Sequence, residues 1–222
     1  MGAHADVGGG AVSNETRHML SRIPLRWMLR QCFECNTGIL FDTKQLAAHG
    51  LDVHTLWPAY KPRKRPSFGP PPTLLEAYHS NNVPGLDKLS TSFSFHPEDE
   101  PADDQRTVYN PSQTGSVNGA ESRHVSLMSE TSEDYFDARS PVNDELATSK
   151  WWWILEAWPI KVHLLLPDGK TWEKRVRMNG GRHRAIRQPQ PKLHWTVQDM
   201  VDEKAYQIKA RVDRDNAWQV VA

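Results

Sequence analysis

A long polar and acidic stretch in the middle of the chain limits what the rest can fold into. Residues 97–137 carry ten acidic and two basic side chains, with many Ser, Thr, Asn and Gln residues between them. A segment of this composition buries too little apolar surface to offset the conformational entropy that it would lose on ordering. The sequence therefore predicts a disordered acidic segment over residues 97–147, with ordered parts on either side of it.

The charge and cysteine content exclude several classes of protein. The formal net charge is zero, divided as +3 over residues 1–96, −8 over 97–150 and +5 over 151–222, which is no global nucleic-acid signature. Two cysteines are too few for a secreted disulfide scaffold. The N-terminus lacks the features of a signal peptide, and the apolar stretch 151–166 is too polar to span a bilayer. We therefore expect a soluble, cytoplasmic protein that binds no nucleic acid.

Local patterns predict short helices before the acidic stretch and short strands after it. Apolar residues from Leu25 to Phe33 fall on one helical face, and Pro24 is tolerated in the first turn of such a helix. Gly50 is a typical C-terminal stop for a short helix before it. The predicted elements are helices from residue 15 and over 25–33, 43–49 and 74–79, a β-hairpin over 160–166 and 171–178, and strands over 192–198 and 206–212.

The N-terminal sequence Gly-Ala-His-Ala-Asp-Val-Gly-Gly-Gly is the feature that best suggests chemistry. His4 stands two residues before Asp6 and next to the glycine run Gly8, Gly9 and Gly10. Histidine titrates near neutral pH and suits general acid–base catalysis, and glycines allow a tight turn near a ligand. On chemistry alone, a single histidine beside a glycine turn is more often a surface or structural residue.

The same segment resembles a known family of enzymes. Residues 2–10 and 20–28 (LSRIPLRWM) are similar to the uncharacterised α/β-hydrolase family related to type VI secretion phospholipase effectors. Fungal members of that family are also similar over residues 32–39, 56–58, 151–159 and 194–198. The resemblance covers residues 1–60 and 148–222 well and the middle of the chain poorly.

The resemblance implies a fold and a set of site residues. The histidine of this motif is the triad base in that family, which gives the role to His4, with Asp6 and the glycines Gly8, Gly9 and Gly10 shaping its loop. The expected substrate is an ester or a phospholipid, with no cofactor and no metal. No Gly-x-Ser-x-Gly sequence, the usual setting of the nucleophile, is present. The chain is therefore expected to be the C-terminal portion of an α/β-hydrolase-like domain, inactive alone because it lacks the serine.

Four parts follow from this interpretation. Residues 1–60 form the distal part of the hydrolase-like domain and residues 61–96 a Pro-rich basic linker. Residues 97–147 form the acidic segment, and residues 148–222 a Trp-rich, β-containing module packed on the first part. The chain is either a gene-model fragment or a true short form, and the first is favoured because a glycine loop needs a preceding strand to brace it.

Two other functions remain open. The acidic arm and the Trp-rich module would suit a non-catalytic interaction protein. Residues 6–10 (DVGGG) also resemble the Asp-x-Gly-x-Gly loop of methyltransferases that bind S-adenosylmethionine, although no apolar strand precedes them.

Cys32 and Cys35 form a Cys-x-x-Cys near the end of the predicted second helix. Zinc would need two more ligands, and a redox pair would lie at a helix start. The favoured interpretation is therefore two core residues. None of the ten histidines shows a metal-binding spacing, and His194 is assigned a structural role.

Arg22, Arg26 and Arg30 recur every four residues along the same helix. The favoured interpretation is a solvated basic face with ion pairs such as Arg30–Glu34. The alternative is contact with an anionic headgroup or an acidic partner.

Trp151, Trp152, Trp153 and Trp158 lie within eight residues of one another. Such side chains seat proteins at a lipid interface or pack strands onto a core. Packing is favoured, because contiguous tryptophans on a helix point in different directions rather than to one face.

Overall fold

The computed structural model describes residues 2–86, 128–213 and 217–222. These residues form two compact units. The terminal unit combines Met1–Ala11 with Pro141–Ala222, and the middle unit is Val12–Ser140. The helices are α1 His4–Gly8, α2 Arg22–Glu34, α3 Thr43–Ala48, α4 Pro72–His79, α5 Glu130–Asp137, α6 Glu145–Thr148, α7 Trp152–Glu156 and α8 Trp195–Asp202, and the strands are β1 Pro159–Leu165, β2 Trp172–Met178, β3 Lys192–His194 and β4 Gln219–Val221.

Helix α2 is the longest described element of the middle unit. Pro24 lies in its first turn, where the ring removes no intrahelical hydrogen bond, and the chain turns at Asn36, which has a φ of +47°. The helix predicted over 25–33 is confirmed. The prediction of a helix from residue 15 is wrong. Residues 15–20 form turns, and the carbonyls of Thr16 and Arg17 accept hydrogen bonds from the Arg22 side chain.

Helix α3 has a local signal at each end. It begins where the Asp42 carboxylate accepts a hydrogen bond from the Lys44 backbone amide, and it ends before Gly50, whose φ is +79°. The helices predicted over 43–49 and 74–79 are both confirmed.

Two apolar clusters support the middle unit. The first cluster contains Leu46, Leu51, Val53 and Leu56, and the second contains Leu74, Met128 and Phe136.

The acidic stretch does not behave as its composition suggests. Residues 128–147 are described and include α5, whose buried residues are Phe136, Ser132 and four carboxylates. The prediction of disorder over 97–147 is therefore wrong for residues 128–147, because arginines of the same unit neutralise the acidic side chains. Residues 97–127 lie outside the described residues.

The terminal unit contains two small sheets. Strands β1 and β2 form an antiparallel hairpin in which Pro159 pairs with Met178 and Leu165 with Trp172. Its turn depends on Gly169, which has a φ of +73°. The predicted hairpin is confirmed.

The last two strand predictions are confirmed only in part. Strand β3 pairs in parallel with β4, but after His194 the chain continues as α8. The strand prediction failed here because a short apolar pattern does not distinguish a strand from a helix. In α8 the buried apolar residues are Trp195, Val197 and Met200. Over residues 206–212 the only described pairing is a single bridge from Arg211 to Ala185.

The described part of the chain is a mixed α/β structure of short helices and two two-stranded sheets. The central sheet of an α/β-hydrolase is not present among these residues. Within the described ranges, no helix combines the length and the apolar character needed to cross a bilayer.

Candidate functional site

Asp6 fixes the N-terminal segment within the terminal unit. Its side chain is only 2% exposed and accepts hydrogen bonds from the backbone amide of Ala3 at 2.7 Å and from the backbone amide of Asn143 at 3.1 Å. The Asn143 side-chain amide donates a further bond at 2.7 Å. A carboxylate that accepts several amide bonds is held firmly in place. Asp6 therefore ties α1 to the loop at residue 143.

His4 lies on the other side of the same helix and is exposed. Successive helical residues are about 100° apart, so two residues separate the directions of His4 and Asp6 by about 200°. The buried carboxylate therefore positions the backbone of α1 and does not orient the imidazole. An exposed imidazole on an anchored helix is available for proton transfer with a group brought against it.

The glycines after α1 provide conformation and open space. Gly9 and Gly10 have φ values of +81° and +89°, which favour glycine over other residues. A Cβ atom built on Gly8, Gly9 or Gly10 would meet no other atom within 4 Å. At Gly2, by contrast, a Cβ atom would lie 2.5 Å from that of Asp6. The run at 8–10 therefore leaves room beside α1, while Gly2 permits the close contact with Asp6.

The middle unit contains a second arrangement of functional groups, which we call the buried ion-pair cluster. Three of its arginines lie on the inner face of α2, and its four carboxylates lie on α5. Arg26, which is fully buried, donates to Asp134 at 2.8 Å and to Asp137 at 2.5 Å. The members are Arg17, Arg22, Arg26, Arg30, Arg63, Glu130, Glu133, Asp134 and Asp137.

The remaining contacts of the cluster are also close. Arg17 binds both oxygens of Glu133 at 2.7 Å, and Arg30 binds both oxygens of Glu130 at 2.6 and 2.5 Å. Bidentate pairing of this kind is the strongest geometry that arginine offers to a carboxylate. The interpretation of the arginines as a solvated face, with an Arg30–Glu34 pair, is therefore wrong.

The charges of the cluster shift the acidity of its members. Burial acts to raise the pKa of Asp137, but Arg26 and His18 outweigh it, and the pKa lies below its ordinary value. Burial acts to lower the pKa of Arg26, yet Asp134 and Asp137 raise it overall. Each side chain therefore remains charged in the interior because its partner is charged.

Arg22 is held differently from the other arginines of α2. It donates to backbone carbonyls, including that of Thr16 at 2.8 Å and that of Arg17. Burial lowers its pKa, and the attraction of Asp137 only partly offsets this. Arg22 therefore shapes the turn before α2, while Arg26 and Arg30 bind α5.

His18, Glu133 and Asp137 place three potential metal ligands within 4.8 Å of one another. Both oxygens of Glu133 bind Arg17, and those of Asp137 accept from Arg26 and from the backbone amide of Met19. The guanidinium groups therefore supply the positive charge that a metal ion would bring. The two carboxylates therefore belong to the ion-pair cluster.

The sequence contains a signal for this cluster in the spacing of its charged residues. Glu133, Asp134 and Asp137 follow Glu130 by three, four and seven residues, which places all four on one helical face. The α2 arginines have the matching spacing of four residues. Two complementary charged faces at the same helical period indicate a pair of helices, even though each alone is typical of a solvated surface.

The other candidate residues are exposed or structural. Cys32 is half-buried and Cys35 is exposed, and both are free thiols, so the interpretation as core residues is wrong. His194 occupies the N-cap position of α8 without a capping bond from its side chain, and its Nδ1 lies 2.9 Å from the Thr196 hydroxyl. Trp151, Trp152, Trp153 and Trp158 are all exposed, and the prediction that they are packed is therefore also wrong.

The fold and these contacts define a mixed α/β protein with an anchored, exposed histidine near its N-terminus. The family model described as "T6SS, Phospholipase effector Tle1-like, catalytic domain" matches residues 1–31. The matched part contains α1 with His4 and Asp6, and most of α2. No curated protein and no solved structure matches the chain. The match supports a lipase-like relationship for this short segment.

Proposed function

We propose that the chain contributes the histidine-bearing part of a lipase-like serine hydrolase. The observation that carries this proposal is the family match over residues 1–31, which includes the motif around His4. In this role His4 takes the proton of an attacking serine and returns it to the leaving group. Its exposure on α1 leaves the imidazole accessible to a second group.

Asp6 has a positioning role in this proposal. It fixes α1 through Ala3 and Asn143, which holds His4 in one place, and the open space beside the glycines 8–10 admits a substrate or a neighbouring strand. The substrate class is an ester, with a phospholipid as the case that the family match favours. The chain needs no cofactor for this chemistry.

The nucleophile must come from outside these residues. The sequence contains no serine flanked as Gly-x-Ser-x-Gly, and a triad without its serine performs no acyl transfer. The isolated chain should therefore show no burst with an activated ester such as p-nitrophenyl butyrate. A His4-dependent burst from the isolated chain would contradict the composite site.

The decisive experiment labels active serines in the source cells. Variants are made at the gene's own locus, so that any linked sequence is retained, and an antibody to residues 151–160 captures the protein after treatment with a fluorophosphonate probe. We expect a labelled serine on the captured polypeptide or on a chain captured with it. His4→Gln should abolish the labelling, while His183→Gln, at another exposed histidine, should preserve it.

Two results would overturn this proposal. One is captured protein without any labelled serine, and the other is labelling that is equal in the wild type and in His4→Gln. Either result would favour the interaction protein. In that case the acidic residues of α5 contribute nothing to capture, since they are buried against arginines, and the exposed tryptophans remain as the binding residues.

The methyltransferase alternative has little support from the local geometry. Residues 6–10 begin within a helix, and residues 4–5 before them also belong to α1 and not to a strand. Calorimetry with S-adenosylmethionine tests it directly, and heat of binding would be the result in its favour.

A further inference from the structure

The terminal unit exposes a group of large apolar side chains on and around α7 and at the adjoining end of the hairpin, which we call the tryptophan face. Trp151 and Trp158 are 79% and 71% exposed, and Val176 on the neighbouring strand is 66% exposed. Isolated exposed apolar residues are ordinary, but a contiguous group marks a binding surface. Its members are Trp151, Trp152, Trp153, Ile154, Leu155, Trp158, Val176 and Met178, while Ile160 pairs with Arg177 and lies on the other side of the hairpin from Val176.

The tryptophan face belongs to an anchored structure. The Glu156 carboxylate accepts hydrogen bonds from the side-chain amide of Asn179 at 2.5 Å and from the backbone amide of Gly181 at 2.9 Å. The indole nitrogen of Trp153 donates to the carbonyl of Leu146 at 3.0 Å. These bonds hold α7 against the end of the hairpin. The exposed side chains are therefore presented in fixed positions.

The exposed residues around α7 have the chemistry of a membrane interface. Residues 151–155 are all exposed, and three of them are tryptophans. The tryptophan ring is apolar and its N–H is polar, so it suits the boundary between headgroups and acyl chains.

Cationic side chains border the tryptophan face. Lys161 and Lys174 are exposed on the same side of the hairpin as Val176, and Arg175 and Arg177 are exposed on the other side. Residues 150–187 contain nine Lys and Arg residues against three Asp and Glu residues. Glu156, one of the three, is occupied by backbone and side-chain amides, and Glu173 pairs with Arg175 at 2.7 Å. The border therefore carries a net positive charge.

We propose that the tryptophan face docks this protein onto a bilayer that contains anionic phospholipid. Tryptophan is enriched at the membrane–water interface, where its ring lies among the headgroups. Lys161 and Lys174 then face the negatively charged headgroups, and each contributes about fivefold to the affinity. This inference involves no residue of α1 and is independent of the proposed function of His4.

The test is flotation of the full chain with vesicles of phosphatidylcholine, alone or with about 30 mol% phosphatidylserine. We expect binding to the anionic vesicles that weakens as salt is raised. The triple variant Trp151→Ser, Trp152→Ser, Trp158→Ser should lose at least about tenfold in affinity. Lys161→Glu with Lys174→Glu should lose at least about 25-fold on the anionic vesicles.

Matched controls come from the middle unit. Phe68 and Lys44 are exposed there, so Phe68→Ser and Lys44→Glu remove an exposed aromatic ring and reverse an exposed charge. Both should bind vesicles as the wild type does. Far-UV circular dichroism checks that each variant is folded. Quenching of wild-type tryptophan fluorescence by brominated lipid tests insertion without any substitution.

Several results would overturn the lipid proposal. Absence of flotation with anionic vesicles is one, and flotation that the triple tryptophan variant retains in full is another. The protein could also fail to bind vesicles and form a dimer that is lost in the triple variant. That result would assign the tryptophan face to contact with a second copy of the chain. Unquenched fluorescence in brominated vesicles that bind the protein would restrict the contact to charge alone.

Discussion

Replacing Arg26 by methionine should strongly destabilise the middle unit. Its guanidinium is fully buried and bridges Asp134 and Asp137, with a further bond to the carbonyl of His49 at 3.1 Å. Methionine keeps the apolar volume but leaves two buried carboxylates with one cation fewer. Breaking a buried pair in this way costs about 3–5 kcal/mol, because a buried charge is left uncompensated.

The partners that remain place the expected loss near the lower limit of that range. Asp134 keeps Arg63 at 2.8 Å, and Asp137 keeps the backbone amide of Met19 at 3.0 Å. We therefore expect a loss of about 3 kcal/mol in the free energy of unfolding. With a urea dependence of about 1–3 kcal/mol per molar, the unfolding midpoint should fall by at least about 1 M.

The loss is measured by urea titration. Hydrogen exchange of the α5 amides is the readout, because it reports unfolding of the middle unit. Arg175→Met is the matched control, since it removes an exposed arginine that also pairs with a carboxylate, and it should leave the midpoint unchanged. Adding Asp137→Asn to Arg26→Met removes one stranded charge and should recover much of the loss.

The pH dependence gives a second test of the same reasoning. In the wild type, the pKa of Asp137 is lowered because Arg26 and His18 outweigh the effect of burial. Its contribution is therefore full above the unfolded pKa of about 3.9 and is lost as the pH falls through the folded value. In Arg26→Met the stranded carboxylates gain by protonation, so the loss relative to wild type should be smaller near about pH 4 than near about pH 7. A loss no larger than that of Arg175→Met, or one independent of pH, would refute the assignment of the cluster as an electrostatic support.

Three further substitutions test individual contacts. Asp6→Ala removes the bonds to Asn143 and should raise the hydrogen-exchange rate of α1 at least about tenfold, measured by mass spectrometry; an unchanged rate would mean that α1 is held by other contacts. Gly50→Ala places a Cβ atom 3.2 Å from the Cγ of Glu133 at a φ of +79°. It should lower the free energy of unfolding in urea by about 1–3 kcal/mol, and an unchanged stability would contradict the close approach of Glu133 to this turn. Phe136→Ala removes a side chain with no exposed surface and should cost about 3–5 kcal/mol by the same assay; a loss below about 1 kcal/mol would contradict its place in the core.

The parts of the fold with local signals could be predicted from the sequence. The Pro-Asp-Gly turn fixes the hairpin because Gly169 supplies the positive φ that the turn needs. Helix α3 has both its signals within nine residues, the Asp42 cap and Gly50 after its end. In each of these elements the residues that decide the structure are neighbours in the chain. Long-range packing is not needed to identify them.

The ion-pair cluster could not be predicted from composition, because its partners are distant in the chain. Arg26 and Asp134 are separated by 108 positions, and an acidic run is typical of disorder only when nothing neutralises it. The same reasoning explains the tryptophans. Their number predicts burial when a core receives them, but the buried apolar residues of the terminal unit are Val162, Leu193, Trp195, Val197 and Met200, and residues 151–155 stay exposed.

The site around His4 was accessible to sequence reasoning only through family resemblance. The motif suggested His4 and Asp6 as a functional pair, and the structure assigns the two side chains to opposite sides of α1. Nothing in the residue order distinguishes the anchoring carboxylate from the exposed imidazole, since Asn143 lies 137 positions from Asp6. The role of His4 therefore rests on chemistry that a binding partner or substrate has to complete.

The two units invert the usual relation between polarity and burial, and this has a physical consequence. The middle unit buries at least seven charged side chains, so its stability depends on mutual neutralisation and responds to pH. The terminal unit buries Trp195 but exposes Trp151, Trp152, Trp153 and Trp158, so the free energy that burial of these four rings would supply is still available for binding. A ligand that binds the folded state alone stabilises it in proportion to its occupancy. A bilayer that covers the tryptophan face should therefore stabilise the terminal unit selectively, because the ion-pair cluster of the middle unit gains no contact from it.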